Sequence, residues 1–355
     1  MRGSWVAMAL VAAGLVGAGL AAAGLAAAGA GPQGQVVSEA TPEEAAPAAA
    51  LVCTVEEWGG EPPVWVIWVI GGVIEERAWV DSDEVKVLMH EGEELSGRRA
   101  MEGRIRPEEN LLMQKGDRLT VYALESGVVG EAVLTNDGEI YAGVEGLHGI
   151  RFEAKVEMRE GGGARGARKM PCPWTDDPAW MLERSLLASW SRDCKEPRWI
   201  RGETLDPNGK VYRGIVEGWL KERGVPDEVL GKVMIQQIVR ADFDGDKQQE
   251  VFLSFLTPEV VWPSDERREH VFSYLLMRDL DRASGEVRTV EMAGGSREQR
   301  FTSGYTFWVD GFCDVDRDGR AEVIVHAAYY EGEGVDLYRW DGKTFEVESG
   351  SVCAP

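Results

Sequence analysis

The sequence predicts a mainly β protein with a few helices, of the α+β class. Short runs rich in Val, Ile, Trp and Phe recur along most of the chain and are separated by Gly, Asn and Asp. Only two segments show helical spacing of apolar residues. After the second of them, an arrangement of four predicted strands with one aspartate-rich segment occurs twice. We therefore expect a small N-terminal β domain followed by a C-terminal pair of four-stranded β-meanders.

The N-terminal segment is typical of an export signal. Arg2 precedes an apolar run of Ala, Gly, Leu, Val and Met from Trp5 to about Gly31. The run is longer than a usual signal-peptide core and less apolar than a usual membrane span, so both cleavage and retention as an anchor stay open. We expect residues 1–30 to be a signal peptide or signal anchor and the protein to be secreted or extracytoplasmic.

The charge balance restricts the possible partners. The chain has 38 basic and 61 acidic residues, a formal net charge of -23. Such a protein repels nucleic-acid phosphates and anionic lipid headgroups. We therefore expect no nucleic acid and no membrane contact other than through the N-terminal segment, which leaves an unknown protein or glycan as partner.

Five cysteines stand at wide spacings, without a C-x-x-C pair. Disulfides Cys172 to Cys194 and Cys313 to Cys353 are compatible with export, and burial as small apolar residues is the alternative.

The predicted organisation has four parts after the leader. Residues 31–50, rich in Ala, Pro and Glu, are expected to be a linker. Residues 51–160 are expected to form the small β domain, a possible barrel, beginning with a hairpin whose turn is Gly71-Gly72. Its further predicted strands are 85–89, 118–124, 128–135, 139–144 and 151–158, with a tight turn at Asn136, Asp137 and Gly138.

Residues 161–232 are expected to hold a Gly- and Arg-rich loop and two helices. The first helix starts at Asp177 and Pro178 and places Leu182, Leu186, Leu187 and Trp190 on one face. The second has apolar residues at helical spacing and ends near Gly224. These residues are Tyr212, Ile215, Val216, Trp219 and Leu220.

Residues 233–355 contain the repeat. The first unit has predicted strands at 234–240, 251–256, 270–277 and 287–292, and the second at 305–312, 323–330, 335–340 and 344–348. Between the first two strands of each unit lies an acidic segment, the first acidic loop (residues 242–250) and the second acidic loop (residues 314–322). The two begin 72 residues apart.

The two acidic loops share one spacing of carboxylates, at positions 1, 3, 5 and 9. Alternate residues of a tightly curled loop can direct their oxygens at one centre, and Ca²⁺ prefers six to eight oxygens, whereas Mg²⁺ requires a stricter octahedron. We therefore predict two Ca²⁺ sites, with position 7 contributing its backbone carbonyl. The predicted ligands are Asp242, Asp244, Asp246, Gln248 and Glu250 in the first loop, and Asp314, Asp316, Asp318, Arg320 and Glu322 in the second.

The loops are not EF-hands, because position 12 is Leu253 or Val325 and strands flank the loop. Their residues resemble the D-x-D-G-D-G-x-x-D/E loop of the FG-GAP and VCBS repeat families, over about residues 233–348. The resemblance implies blades of a β-propeller or a related β assembly, with Ca²⁺ held by the aspartates and with Glu250 and Glu322 closing the site. Two units cannot close a propeller alone, so we expect them to pack face to face or against the helices.

Each loop departs from this pattern at one glycine. The first has Lys247 at position 6, and the second has Arg317 at position 4. If position 6 requires a positive φ angle, Lys247 costs on the order of 1 kcal/mol. This predicts that the first site is the weaker one.

The sequence favours a non-catalytic binding or structural module at or outside the cell surface. The four histidines show no zinc or catalytic spacing, and His326 is expected to be a packed residue. Of 13 tryptophans, Trp262, Trp308 and Trp340 are candidates for a sugar-stacking surface. The alternative is a secreted hydrolase, for instance one acting on glycans, in which calcium only stabilises the fold.

Overall fold

The computed structural model describes residues 49–58, 64–74, 78–81, 102–104, 112–143, 146–159, 186–192, 195–257, 272–281, 284–296, 306–329 and 332–353. These residues are mainly β-strand, as predicted, and all fall in one compact unit, residues 46–355. The predicted leader, most of the linker, the strand at 85–89 and the pairing of Cys172 with Cys194 lie outside them.

The N-terminal part is a six-stranded antiparallel barrel with a short extension. Its strands are β1 (Ala49–Trp58), β2 (Val64–Ile74), β3 (Ala78–Asp81), β4 (Glu102–Arg104), β5 (Arg118–Ala123), β6 (Gly127–Leu134), β7 (Glu139–Gly143), β8 (Gly146–Met158) and β9 (Leu186–Arg192). The order β2-β1-β9-β5-β6-β8 closes through pairing of β2 with β8. Closure removes the exposed edges that an open sheet would present.

The predicted hairpin turn at Gly71-Gly72 is wrong. Strand β2 runs straight through both glycines, and a β-bulge in the β1–β2 pairing lies next to them. A Cβ atom on Gly72 would collide with the carbonyl oxygen of Ala50 on β1. Glycine inside a strand often marks a place where another backbone approaches closely. Gly72 indicates such an approach by β1, not a turn.

The predicted first helix is wrong where the structure describes it. Residues 186–192 form β9, which lies between β1 and β5 and completes the barrel. Leu186 and Trp190 face the barrel interior, whereas Leu187 packs on the outside against the C-terminal part. A strand with both faces buried has a continuous apolar sequence, and periodicity alone cannot distinguish that sequence from a buried helix.

The C-terminal part contains the two predicted meanders. The first consists of β12 (Met234–Ala241), β13 (Glu250–Leu256), β14 (Phe272–Leu280) and β15 (Val287–Ser296), and the second of β16 (Thr306–Asp314), β17 (Glu322–Tyr329), β18 (Gly332–Trp340) and β19 (Phe345–Cys353). All eight predicted strands are confirmed. Each sheet gains a fifth strand from one preceding segment, because β10 (Arg198–Ile200) pairs with β16 and β11 (Glu203–Thr204) pairs with β12.

The two meanders pack face to face, as expected. A core rich in phenylalanine fills the space between them, with Phe243 and Phe252 of the first meander against Phe312 and Phe345 of the second. The side-chain amide of Gln237 adds a polar link, donating to the carbonyl of Val309 at 2.9 Å and accepting from its N–H at 2.8 Å. Both strands carry a β-bulge next to this link, where the ladder is locally interrupted.

The second meander is buried on both faces. Its other face, with Ile324, Val335 and Leu337, packs against the outer surface of the barrel, including Val52 and Ile70. The molecule is therefore layered as barrel, second meander and first meander. The thiols of Cys53 and Cys313 are buried and free. The predicted disulfide between Cys313 and Cys353 is wrong, because the two strands are separated by two others in the sheet.

The predicted second helix is confirmed as α1 (Lys210–Glu222), followed by the short α2 (Asp227–Leu230). Val216, Trp219 and Leu220 of α1 cover the outer face of the first meander. Within the described residues, no helix combines the length and apolar character that crossing a bilayer requires.

Candidate metal centre

The two acidic loops share three internal hydrogen bonds. In each loop, the N–H of position 2 donates to the position 9 carboxylate, the N–H of position 5 to the position 3 carboxylate, and the N–H of position 7 to the position 5 carboxylate. The pairs are Phe243 to Glu250, Asp246 to Asp244 and Gln248 to Asp246 in the first loop, and Val315 to Glu322, Asp318 to Asp316 and Arg320 to Asp318 in the second. In the first loop the N–H of Lys247 also donates to Oδ1 of Asp242. Two segments 72 residues apart have thus reached one conformation.

Positions 4 and 6 have a positive φ angle in both loops. In the first loop these are Gly245 (75°) and Lys247 (73°), and in the second Arg317 (62°) and Gly319 (97°). Each loop therefore contains one glycine and one non-glycine residue with a left-handed conformation. For the non-glycine residue this conformation is destabilising by about 1 kcal/mol or more. Backbone strain does not distinguish the two loops, which removes the basis for expecting the first to be weaker.

The loops gather most of the predicted carboxylates. Asp242, Asp244 and Glu250 each offer an oxygen atom within 4.8 Å of the others, and so do Asp314, Asp316 and Asp318. Such acidic clusters could hold a metal ion. The carboxylates of Asp246 and Glu322 are outside these two sets.

The closing glutamates lie beneath the loops at the start of β13 and β17. Glu250 and Glu322 are each only 1% exposed. Burial is the main cause that raises the pKa of each carboxyl to about 8, and neighbouring aspartates add to the effect. Burying a charge without a matching cation is costly, so these carboxyls favour the protonated form at neutral pH.

Asp314, at position 1 of the second loop, has an unsatisfied oxygen. Its side chain is 2% exposed, and its Oδ1 atom has no hydrogen-bond partner. Burial is the first cause that raises the pKa of this carboxyl. Buried polar atoms are nearly always paired in folded proteins, so this atom requires an explanation.

The two loops contact each other directly. The carbonyl of Phe243 in the first loop accepts a 2.7 Å hydrogen bond from the N–H of Ala321 in the second. A Cβ atom on Gly245 would lie 2.8 Å from the carbonyl oxygen of Gly319. Face-to-face packing of the meanders therefore brings the backbones of the two acidic loops into contact.

The third strand of each meander places one more charged side chain beside the closing glutamate. Val251 pairs with Arg278 and Val323 with Tyr338, so the next position in each ladder is Asp279 or Arg339. Asp279 is buried and accepts a hydrogen bond from Nε of Arg288. Burial raises the pKa of the Asp244 carboxyl, and the negative charge of Asp279 adds to that effect. Nη2 of Arg339 lies 3.3 Å from Oδ2 of Asp316 and 3.5 Å from Oδ2 of Asp318.

Neither Asp279 nor Arg339 was identified from the sequence. Both belong to strands well beyond the loops in the chain, and their proximity depends on the strand register. The repeat in the sequence could have identified them, since Asp279 and Arg339 occupy equivalent positions in the third strands of the two meanders.

Other predicted candidates are structural. His326 is buried as expected, stacked on Trp308 with ring centroids 4.4 Å apart and its Nδ1 3.3 Å from Oδ2 of Asp310. Trp308 and Trp340 are buried, so neither offers a sugar-stacking surface. Trp262 lies outside the described residues.

Comparison with known proteins does not assign this chain to a family. No family model matches it, and neither a curated protein nor a solved structure matches it. The resemblance of the acidic loops to FG-GAP and VCBS repeats thus remains a prediction based on the loop residues.

Proposed function

We propose that the protein is an exported, non-catalytic binding or structural module at or outside the cell surface, stabilised by one Ca²⁺ in each acidic loop. The observation that carries the metal proposal is the shared loop conformation, which directs acidic oxygens towards one another in both repeats. Without a cation, such a cluster opposes folding through mutual repulsion. A bound cation would offset that cost.

The buried oxygen of Asp314 supports the proposal independently of the acidic spacing. No group in the described part of the chain forms a hydrogen bond with Oδ1 of Asp314, and a cation at the centre of the second loop would give this atom a partner. The raised pKa of Glu250 and Glu322 fits the same account, since both closing groups are buried without enough positive charge nearby. Ca²⁺ suits the all-oxygen donor set.

The hydrolase alternative gains no specific support from the described residues. Among the described carboxyls, burial raises the pKa most in Glu250 and Glu322, to about 8, and in Asp336, to about 6. Glu250 and Glu322 both lie under the acidic loops. They are better explained as ligands that close a metal site than as a general acid.

Thermal unfolding of the full chain in excess EDTA and in a few millimolar Ca²⁺ tests the proposal. At about a hundred times its dissociation constant, one ion adds roughly 2.7 kcal/mol, so we expect Tm to rise by about 5 °C or more. Mg²⁺ at the same concentration should give a smaller rise.

The decisive variant is Asp244→Asn with Asp316→Asn. Asparagine can still accept the hydrogen bond from position 5, so the variant removes charge while keeping the loop turn. It should lose the Ca²⁺-dependent rise. The control, Glu222→Ala with Glu228→Ala, removes two exposed acids near α1 and should keep the rise. An unchanged Tm of the wild-type protein in Ca²⁺ would refute the metal proposal.

A further inference from the structure

The two acidic loops differ most clearly at the position opposite the closing glutamate. One repeat has an acid there, Asp279, and the other a base, Arg339. The cross-strand partners are exchanged as well, since Asp279 pairs with Arg288 and Arg339 pairs with Glu346. Equivalent positions of two otherwise matched repeats therefore carry opposite charge.

Arg339 occupies oxygens that the second loop would need for a metal. Oδ1 of Asp316 accepts from the N–H of Asp318, and Oδ1 of Asp318 accepts from the N–H of Arg320. The remaining oxygen of each aspartate, Oδ2, lies beside Nη2 of Arg339. Both outer carboxylates of the loop thus have one oxygen on the backbone and one beside the guanidinium.

The second loop also has an observation that points to a ligand. Oδ1 of Asp314 is buried without a partner, and Asp314 belongs to the same group of converging carboxylates as Asp316 and Asp318. The guanidinium of Arg339 lies beside Asp316 and Asp318. It provides no hydrogen bond to Oδ1 of Asp314, which remains unsatisfied.

We propose that Arg339 is a tethered counter-ion that sets the Ca²⁺ affinity of the second loop. The proposal rests on the function proposed above. The guanidinium holds the loop together in the absence of metal and must leave Oδ2 of Asp316 and Asp318 before Ca²⁺ can use these atoms. The second loop therefore fills only at a higher Ca²⁺ concentration than its four carboxylates alone would require.

Calorimetric titration with Ca²⁺ of the full-length Asp244→Asn protein, which leaves the second loop as the intact one, tests this. Adding Arg339→Gln should lower the Kd of the second loop about tenfold, an estimate for a half-exposed cation near a divalent ion. Arg339→Lys keeps the charge and should leave the Kd within about threefold of the parent, since a lysine can also place one positively charged nitrogen near Asp316 and Asp318.

The matched control is Lys343→Gln, which removes an exposed positive charge from the turn between β18 and β19. It should change the Kd by less than about twofold, because exposed charges act weakly. Circular dichroism of each variant in EDTA checks that the fold is kept.

The outcomes separate this inference from the function on which it rests. A Kd for Arg339→Gln equal to that of the parent or of Lys343→Gln, with Ca²⁺ still bound, would overturn the role of Arg339 alone. Absence of any Ca²⁺ binding in the wild-type protein would overturn both. Tighter binding in Arg339→Gln only would support the inference.

Discussion

Asp336 is a half-buried acid that lies away from the acidic loops. It belongs to β18, on the face that carries Tyr338 and Trp340 into the core between the meanders. Burial raises the pKa of its carboxyl to about 6, while the charge of His326 acts in the opposite direction. The folded protein therefore retains a proton at a pH where the unfolded chain has released it.

This shift makes stability depend on pH. Between about pH 4 and pH 6 the native state binds more protons than the unfolded state, so the free energy of unfolding falls as pH rises through this window. Above it, the ionised carboxylate destabilises the fold. Below it, both states are protonated and the cost is absent.

We expect Asp336→Asn to stabilise the protein at pH 7 by on the order of 2 kcal/mol, because the amide carries no charge to bury. The gain, measured by urea unfolding, should shrink towards zero at pH 4. Glu346→Gln, which removes an exposed acid from the neighbouring strand, serves as the control and should change little. A gain of equal size at both pH values would show that charge burial is not its cause.

The loop conformation is a feature of the element as a whole. A left-handed residue at positions 4 and 6 curls each segment tightly enough for its backbone N–H groups to meet its own carboxylates. The flanking strands then fix the two ends of the curl, because Asp314 ends β16 and Glu322 starts β17. The closing glutamate is thus positioned by the sheet, and the aspartates by the turn.

Contact between the loops predicts different costs for two glycine substitutions. Gly319→Ala meets no atom within 4 Å and should cost only the strain of its φ angle, on the order of 1 kcal/mol. Gly245→Ala also requires a positive φ angle, and its methyl group would approach the carbonyl oxygen of Gly319 as well, so we expect about 1–3 kcal/mol more.

Urea unfolding in EDTA compares these two variants without any contribution from metal. Each is the control of the other, because the change in side chain and the sign of φ are the same. Equal losses of stability would contradict the contact between the loops.

At the scale of the whole molecule, the second meander depends on both neighbours. One face packs against the first meander and the other against the barrel, where Tyr122 stacks on Trp199 with ring centroids 4.3 Å apart. The hydroxyl of Tyr122 also donates to the carbonyl of Ile200 on β10. The barrel and the meanders therefore share a core.

We expect a fragment of residues 195–355 to fold poorly by itself. Removing the barrel would expose the apolar face that contains Ile324, Val335 and Leu337, and a continuous apolar surface of this kind promotes association. Size-exclusion chromatography and calorimetry of the fragment beside the full chain would check this. A monomeric fragment with a cooperative transition close to that of the full chain would contradict it.

The sequence by itself determined the local features of this protein. Strand composition and turn residues were enough to predict all eight meander strands and α1, because each depends on a short amphipathic or apolar pattern. The spacing of the acidic residues was enough to predict most of the carboxylates that meet, since a tight loop brings alternate residues together, but it did not predict that Asp246 and Glu322 stay outside the two groups. Three of the four in each loop lie in one group.

Only the tertiary structure decided the features that depend on distant neighbours. β9 is a strand because the barrel requires a partner for β1 and β5, and Gly72 is in a strand because the backbone of β1 approaches it closely. Asp279 and Arg339 reach the loops through strand register across chain segments that the sequence shows as separate. Local physics specified the elements, whereas long-range packing determined which charges lie beside them.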